Sequence, residues 1–150
     1  MSQSLSQLYI HITFHTKYNH DLIKADVEKE LYAFFGGILK SNKSMPIAIN
    51  GMDNHVHIFC IMSKSIAPSK LLEELKRNSS RWIKTKGEHY KDFAWQGGYG
   101  AFSVSPSKVD IVKRYIQKQK LHHKGETYQE EYIRLLKEHG IDYNEEYIWD

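Results

Sequence analysis

Residues 45–62 read MPIAINGMDNHVHIFCIM. Two short runs, 45–50 (MPIAIN) and 54–62 (NHVHIFCIM), flank Gly51-Met52-Asp53. Apolar runs of this length, bounded by turn residues, read as strands, and the brief glycine-containing link makes an antiparallel hairpin the natural connection. Upstream, residues 8–16 (LYIHITFHT) alternate, with Leu8, Ile10, Ile12 and Phe14 on one face and Tyr9, His11, Thr13 and His15 on the other, as in a half-buried strand. Between these strands, residues 22–40 carry Leu22, Ile23, Val27, Leu31, Phe34, Phe35 and Ile38, an amphipathic helix ending after Gly36-Gly37 or slightly later. Downstream, Pro68 suits a first helical turn, and residues 69–86 follow it with Leu71, Leu72, Leu75, Trp82 and Ile83. Gly97-Gly98-Tyr99-Gly100 breaks the pattern before a short strand at 101–105. Ser105-Pro106-Ser107 then opens a helix running through Tyr115 to Gln119, and a last helix spans 127–139, closed by Gly140. The order β-α-β-β-α-β followed by two helices predicts an α+β, ferredoxin-like split βαβ fold. It has an antiparallel sheet, helices on one face and added C-terminal helices, in one domain over 1–150.

Composition narrows the function classes. Of the residues, 41% are hydrophobic and 26% charged, as in a globular domain. A single cysteine leaves no intramolecular disulfide framework and no multi-cysteine zinc site. The apolar runs are too short to span a bilayer, and MSQSLSQ lacks the plan of a signal peptide, so a soluble cytoplasmic protein with no membrane partner is expected. Net charge is only +3, but its distribution is uneven. Residues 64–91 hold eight Lys/Arg against three Glu, and residues 108–124 hold six against one Asp, whereas residues 126–150 hold eight acidic against two basic. This suggests a face that meets phosphates and an acidic tail that does not; solvated helix faces would give the same pattern.

Asp53-Asn54-His55-Val56-His57 carries the strongest chemical signal. Side chains at i and i+2 of a strand share a side, so His55 and His57 present two imidazoles to one metal ion, although hydrogen-bonded core histidines also follow this pattern. In Tyr115-Ile116-Gln117-Lys118-Gln119, residues i and i+4 share a helix face. Gln119 offers a hard carbonyl oxygen for a His/His/Gln site and Tyr115 a nucleophile beside it; a half-packed tyrosine with a solvated glutamine is the plainer reading. Lys113, Arg114, Lys118 and Lys120 surround this pair.

These stretches, together with residues 95–104 (WQGGYGAFSV), His122-His123, His15-Thr16-Lys17-Tyr18 and the tail from Gly140 to Asp150, resemble the single-tyrosine HUH transposases of insertion sequences and their relatives, the REP-associated tyrosine transposases. The resemblance covers nearly the whole chain. It implies that His55, His57 and Gln119 hold Mg²⁺ or Mn²⁺ and that Tyr115 is the nucleophile. It further implies a homodimer and single-stranded DNA bearing a hairpin. The implied reaction is transesterification through a 5′-phosphotyrosine, which conserves the energy of the broken phosphodiester and needs no P-loop. None is present, since no Lys-Ser/Thr follows Gly100.

Lys76, Arg77, Arg81, Lys113, Arg114, Lys118, His122 and His123 are candidates for contacting DNA phosphates. Trp95, Tyr99 and Phe102 could stack on unpaired bases, with at least one of them core. His11 and His15 could support the site or face DNA, and Cys60, opposite the two histidines in strand parity, is expected to be a buried hydrophobe. Three alternatives remain open. One is a domesticated relative processing palindromic repeats; another is a non-catalytic nucleic-acid-binding domain on the same plan. The last is a replication-initiation nuclease, a class that is generally longer.

Overall fold

The computed structural model describes residues 2–150. Its main elements are β1 (Leu8–His15), α1 (Ala25–Ser41), β2 (Met45–Gly51), β3 (His55–Met62), α2 (Pro68–Ile83), β4 (Gly100–Val104), α3 (Val109–Gln117), α4 (Gln119–His122) and α5 (Tyr128–Glu138). The strands form one antiparallel sheet in the order β2-β3-β1-β4, the arrangement expected of the split βαβ plan.

Strand alternation decides what each face does. Ile12 and Phe14 of β1 and Val56, Ile58 and Cys60 of β3 point to one side. There they pack with Val27, Leu31 and Phe35 of α1 and Leu71, Leu72 and Leu75 of α2 into the main core. Cys60 is fully buried, and desolvation pushes its thiol pKa up to about 12, so it behaves as the expected apolar filler. The opposite face is covered by the C-terminal helices: Ile116 of α3 meets Ala48 and Phe59, and Tyr132 and Leu135 of α5 meet Phe102. Helices therefore lie on both faces.

Several local expectations are corrected. The first helix begins at Ala25 instead of Leu22, because the Ile23 amide donates to the Asp53 carbonyl of the hairpin turn at 2.8 Å. Its end falls as expected, slightly past Gly36-Gly37, at Ser41. The helix expected to run unbroken to Gln119 stops at Gln117, and Lys118 (φ −100°, ψ 19°) separates α3 from α4. Trp95 and Phe102, 7% and 2% exposed, are core residues and unavailable for base stacking. The Trp95 indole N–H donates to Ser79 Oγ at 2.9 Å, and its ring meets Phe14 and Phe93 edge-on. Tyr99 remains partly exposed. No helix among the described residues is long and apolar enough to cross a membrane.

Gly51 closes the β2–β3 hairpin that carries the histidines. A Cβ there would sit 2.2 Å from the His55 carbonyl oxygen, and backbone cannot rotate away as a side chain can. Gly51→Ala is expected to cost about 1–3 kcal/mol, seen as a lower urea midpoint with an unchanged slope.

Candidate active site

On the face away from the main core, β1 presents His11, Thr13 and His15 and β3 presents His55 and His57, all buried. The two β3 histidines stand side by side as their spacing requires, ring centroids 5.2 Å apart. His57 Nδ1 lies 2.8 Å from His11 Nε2, and His55 Nδ1 donates to Asn54 Oδ1 at 2.7 Å. Such outer contacts fix ring orientation and tautomer.

Helix α5 closes the site. A capping box of Thr127 and Glu130 sets its start, and its buried stripe is Tyr128, Glu131, Tyr132, Leu135 and Leu136. Docking this stripe against the sheet drives the Glu131 carboxylate, fully buried, into the histidine cluster. Glu131 Oε1 lies 2.8 Å from His57 Nε2, 3.1 Å from His123 Nε2 and 3.6 Å from His55 Nε2. Its Oε2 accepts from Gln119 Nε2 at 2.9 Å and from the Tyr115 hydroxyl. Arg134, one turn along α5, donates to the Tyr115 oxygen at 2.8 Å while paired with Glu126 and Glu138.

Electrostatics follow from this geometry. Burial opposes ionisation of Glu131, but His57 and the hydrogen bonds from His123 and His57 outweigh it and hold the carboxyl well below the usual carboxylate range. Burial, reinforced by His57, keeps His55 well below the ordinary histidine value, hence neutral. With Nδ1–H committed to Asn54, its Nε2 is a bare lone pair facing Gln119 Oε1 at 3.1 Å and the Glu131 carboxylate. Lone pairs converging on one point is the arrangement a divalent cation satisfies. The donor atoms of His55, His57, His123 and Glu131 all lie within 4.8 Å of one another. The residues present thus fit a divalent metal. Burial first, then Glu131, raises the Tyr115 phenol pKa, against the opposing pull of Arg134.

Of the residues singled out from the sequence, His55, His57, Gln119 and Tyr115 are brought together, with Gln119 and Tyr115 meeting through Glu131. His123 turns inward to Glu131, not outward to solvent, and the His122 ring packs 4.5 Å from that of Tyr115. Arg114 and Lys118 are exposed and Lys113 half-buried, on or beside the helix that bears Tyr115. Lys76, Arg77 and Arg81 do not reach the site: α2 packs on the other face of the sheet. Lys76 is moreover a structural staple, its ammonium donating to the Gln96 and Gly97 carbonyls at 2.8 and 3.3 Å, with burial lowering its pKa to about 8. Arg77 pairs with Glu73 and Glu74. The sequence reading missed Glu131 and Arg134, having placed the acidic tail away from the chemistry. The signal was available: Glu131 interrupts an otherwise apolar i, i+3, i+4, i+7 stripe.

Residues 4–119 match the family described as "Transposase IS200 like". The chain belongs to this family. Two solved structures are similar to this IS200-like transposase in fold. A crystal structure of a candidate transposase from Deinococcus radiodurans R1 is 22% identical with a TM-score of 0.62, over 79% of this chain and 98% of that one. A REP-associated tyrosine transposase, described as bound to a REP hairpin, is 12% identical with a TM-score of 0.60, over 82% of this chain and 74% of that one. No curated protein matches the transposase.

Proposed function

We propose that the transposase cleaves and rejoins single-stranded DNA through a covalent 5′-phosphotyrosine on Tyr115. The observation that carries this reading is the contact of the Tyr115 hydroxyl with the carboxylate that also joins His55, His57, His123 and Gln119. His55, His57 and Gln119 Oε1 would hold Mg²⁺ or Mn²⁺, with Glu131 and His123 within reach as further ligands. A metal held there would supply Lewis-acid polarisation of the scissile phosphate. Tyr115 attacks phosphorus, and the phenolic proton leaves along its hydrogen bond to Glu131 Oε2 and on to solvent. The bond to the 3′ oxygen breaks, the departing oxygen taking up a solvent proton to become the 3′-OH. Arg134 neutralises charge growing on the tyrosine oxygen. A free 3′-OH can then reverse the step, releasing Tyr115 and rejoining the strand. The hairpin-bound relative supports a substrate in which a folded stem flanks the cleaved single strand.

The direct test is a denaturing gel of protein mixed with labelled hairpin oligonucleotides in Mn²⁺ or in EDTA. A protein–DNA adduct is expected in Mn²⁺ only; a band shift without adduct for every hairpin drawn from the flanking genome would sink the reading and favour a binding module.

The same contact supports a site completed within one chain, so that the homodimer implied by the resemblance is not required for cleavage. Mixing His57→Ala with Tyr115→Phe protein is accordingly expected to restore no adduct. Restored activity would mean that the nucleophile comes from a partner chain.

A further inference from the structure

Beside the metal-binding cluster lies a second, separate pocket of about 270 Å³, lined by His15, Tyr18, Asn19, Gln129, Trp149 and Asp150. Its floor is unusual. His15 Nδ1 donates to the Thr16 carbonyl at 2.5 Å, which fixes the tautomer and leaves Nε2 an acceptor. Among the described residues, that Nε2 is the one buried side-chain nitrogen or oxygen with no hydrogen-bond partner, on a residue only 1% exposed. Burying an unsatisfied acceptor costs about 1–3 kcal/mol, which a structural role does not explain.

The walls around this acceptor are aromatic and amide, with the Asp150 carboxylate also on the lining. Trp149 lies against the His15 ring, centroids 6.2 Å apart, and Tyr18 stands at the rim, 74% exposed. Tyr18 and Asn19 both adopt left-handed backbone (φ 59° and 60°), a conformation that is costly for tyrosine and holds its ring at the mouth. The pocket is also wired to the metal site. Asn19 Oδ1 accepts from Asn54 Nδ2 at 3.3 Å, Asn54 Oδ1 accepts from His55 Nδ1, and His15 and His55 are paired across β1 and β3. Tyr128 stands between them, stacked on His55 and edge-on to His15.

We propose that this pocket is a nucleobase subsite. It receives one unpaired base of the DNA strand next to the scissile phosphate and selects a base whose exocyclic amino group donates to His15 Nε2. The Trp149 indole, tilted beside the imidazole, moves aside to let the base in and becomes its stacking platform, with Tyr18 available on the open side. Asn19 and Gln129 supply amide groups to the base edge. Adenine, cytosine and guanine carry the required amino group; thymine does not. The inference rests on the reading that the chain acts on single-stranded DNA.

The test is a binding selection in EDTA, where no cleavage interferes, on a pool of oligonucleotides with a palindromic stem and randomised single-stranded flanks. One flank position is expected to enrich for amino-bearing bases. At that position an abasic site should weaken binding about tenfold. An analogue lacking only the amino group (inosine for guanine, purine for adenine) should weaken it about fivefold. His15→Phe should erase the amino-group effect while keeping the abasic one, and Trp149→Ala should shrink the abasic effect. In wild-type protein carrying isotope-labelled histidine, the His15 Nε2 resonance should move with the base-bearing probe and not with the abasic one, a readout independent of how the variants fold. Flat flank preferences, discrimination that survives His15→Phe, or an unmoved resonance overturns the subsite. If the metal-dependent adduct still forms in that event, the catalytic reading stands. A base preference without any adduct keeps the subsite and removes the catalytic reading, and failure to bind any single strand removes both.

Discussion

Tyr115→Phe is expected to abolish the covalent protein–DNA adduct, a loss of at least ~10³-fold in cleavage, while single-strand affinity in EDTA stays within about twofold of wild type. The substitution removes one oxygen and leaves the rest of the side chain in place. The ring keeps its packing beside His122 and its neighbours in the small cluster around Ile116 and Phe59. What disappears is the group that bridges Glu131 and Arg134. Arg134 keeps its paired contacts with Glu126, and Glu131 keeps its histidines, so neither charge is left alone. A stable, DNA-competent and inert protein is therefore the expected result, checked on the denaturing gel with an anisotropy titration beside it. A residual adduct at wild-type level would mean that another residue is the nucleophile.

The second large effect is expected at Glu131. Four side chains, His57, His123, Gln119 and Tyr115, hydrogen-bond to its two oxygens, and His55 Nε2 faces them at 3.6 Å. Glu131→Ala leaves this polar cluster buried without its anion and is expected to destabilise the metal-free protein by about 3–5 kcal/mol. Glu131→Gln preserves shape and should fold. It removes the negative charge, and Mn²⁺ affinity measured by calorimetry is expected to fall about 100-fold, the upper range for altered metal-site partners. Unchanged Mn²⁺ affinity in Glu131→Gln would restrict the metal to His55, His57 and Gln119 and leave Glu131 as proton acceptor only. Adduct formation at saturating Mn²⁺ separates these roles, because a lost ligand is overcome by metal concentration and a lost proton acceptor is not.

The fold was legible because its sheet is written in period-two patterns that are hard to mistake. Alternation in residues 8–16 alone assigned Ile12 and Phe14 to the core and His11, Thr13 and His15 to the other face, and the structure agrees. His55 and His57 were legible for the same reason, both lying on one strand. Residues that depend on packing between distant elements were not. Glu131 reaches His57 across 74 positions of sequence, and counting charges made it part of an acidic surface. Lys76 failed in the opposite sense: its charge suggested phosphate, but three backbone carbonyls around Gly97 claim it. The break at Lys118 escaped notice because nothing in Tyr115-Ile-Gln-Lys-Gln forbids a helix; the interruption belongs to the tertiary fit of Gln119 against Glu131 and His55.

The fully buried carboxylate of Glu131 has a thermodynamic corollary for the order of events. With the metal absent, a phosphodiester entering the site would meet an anion of its own sign in a medium that screens poorly. A divalent cation bound there would reverse the sign of the local potential, so ion and scissile phosphate would recruit one another, each raising the affinity for the other by the same factor. On the proposed reading, engagement of the strand at the cleavage point would be gated by ion occupancy, and a hairpin stem bound outside the site would be indifferent to it. A stem without its single-stranded flank should therefore bind equally well with Mn²⁺ or EDTA, and only the flanked substrate should tighten with the ion.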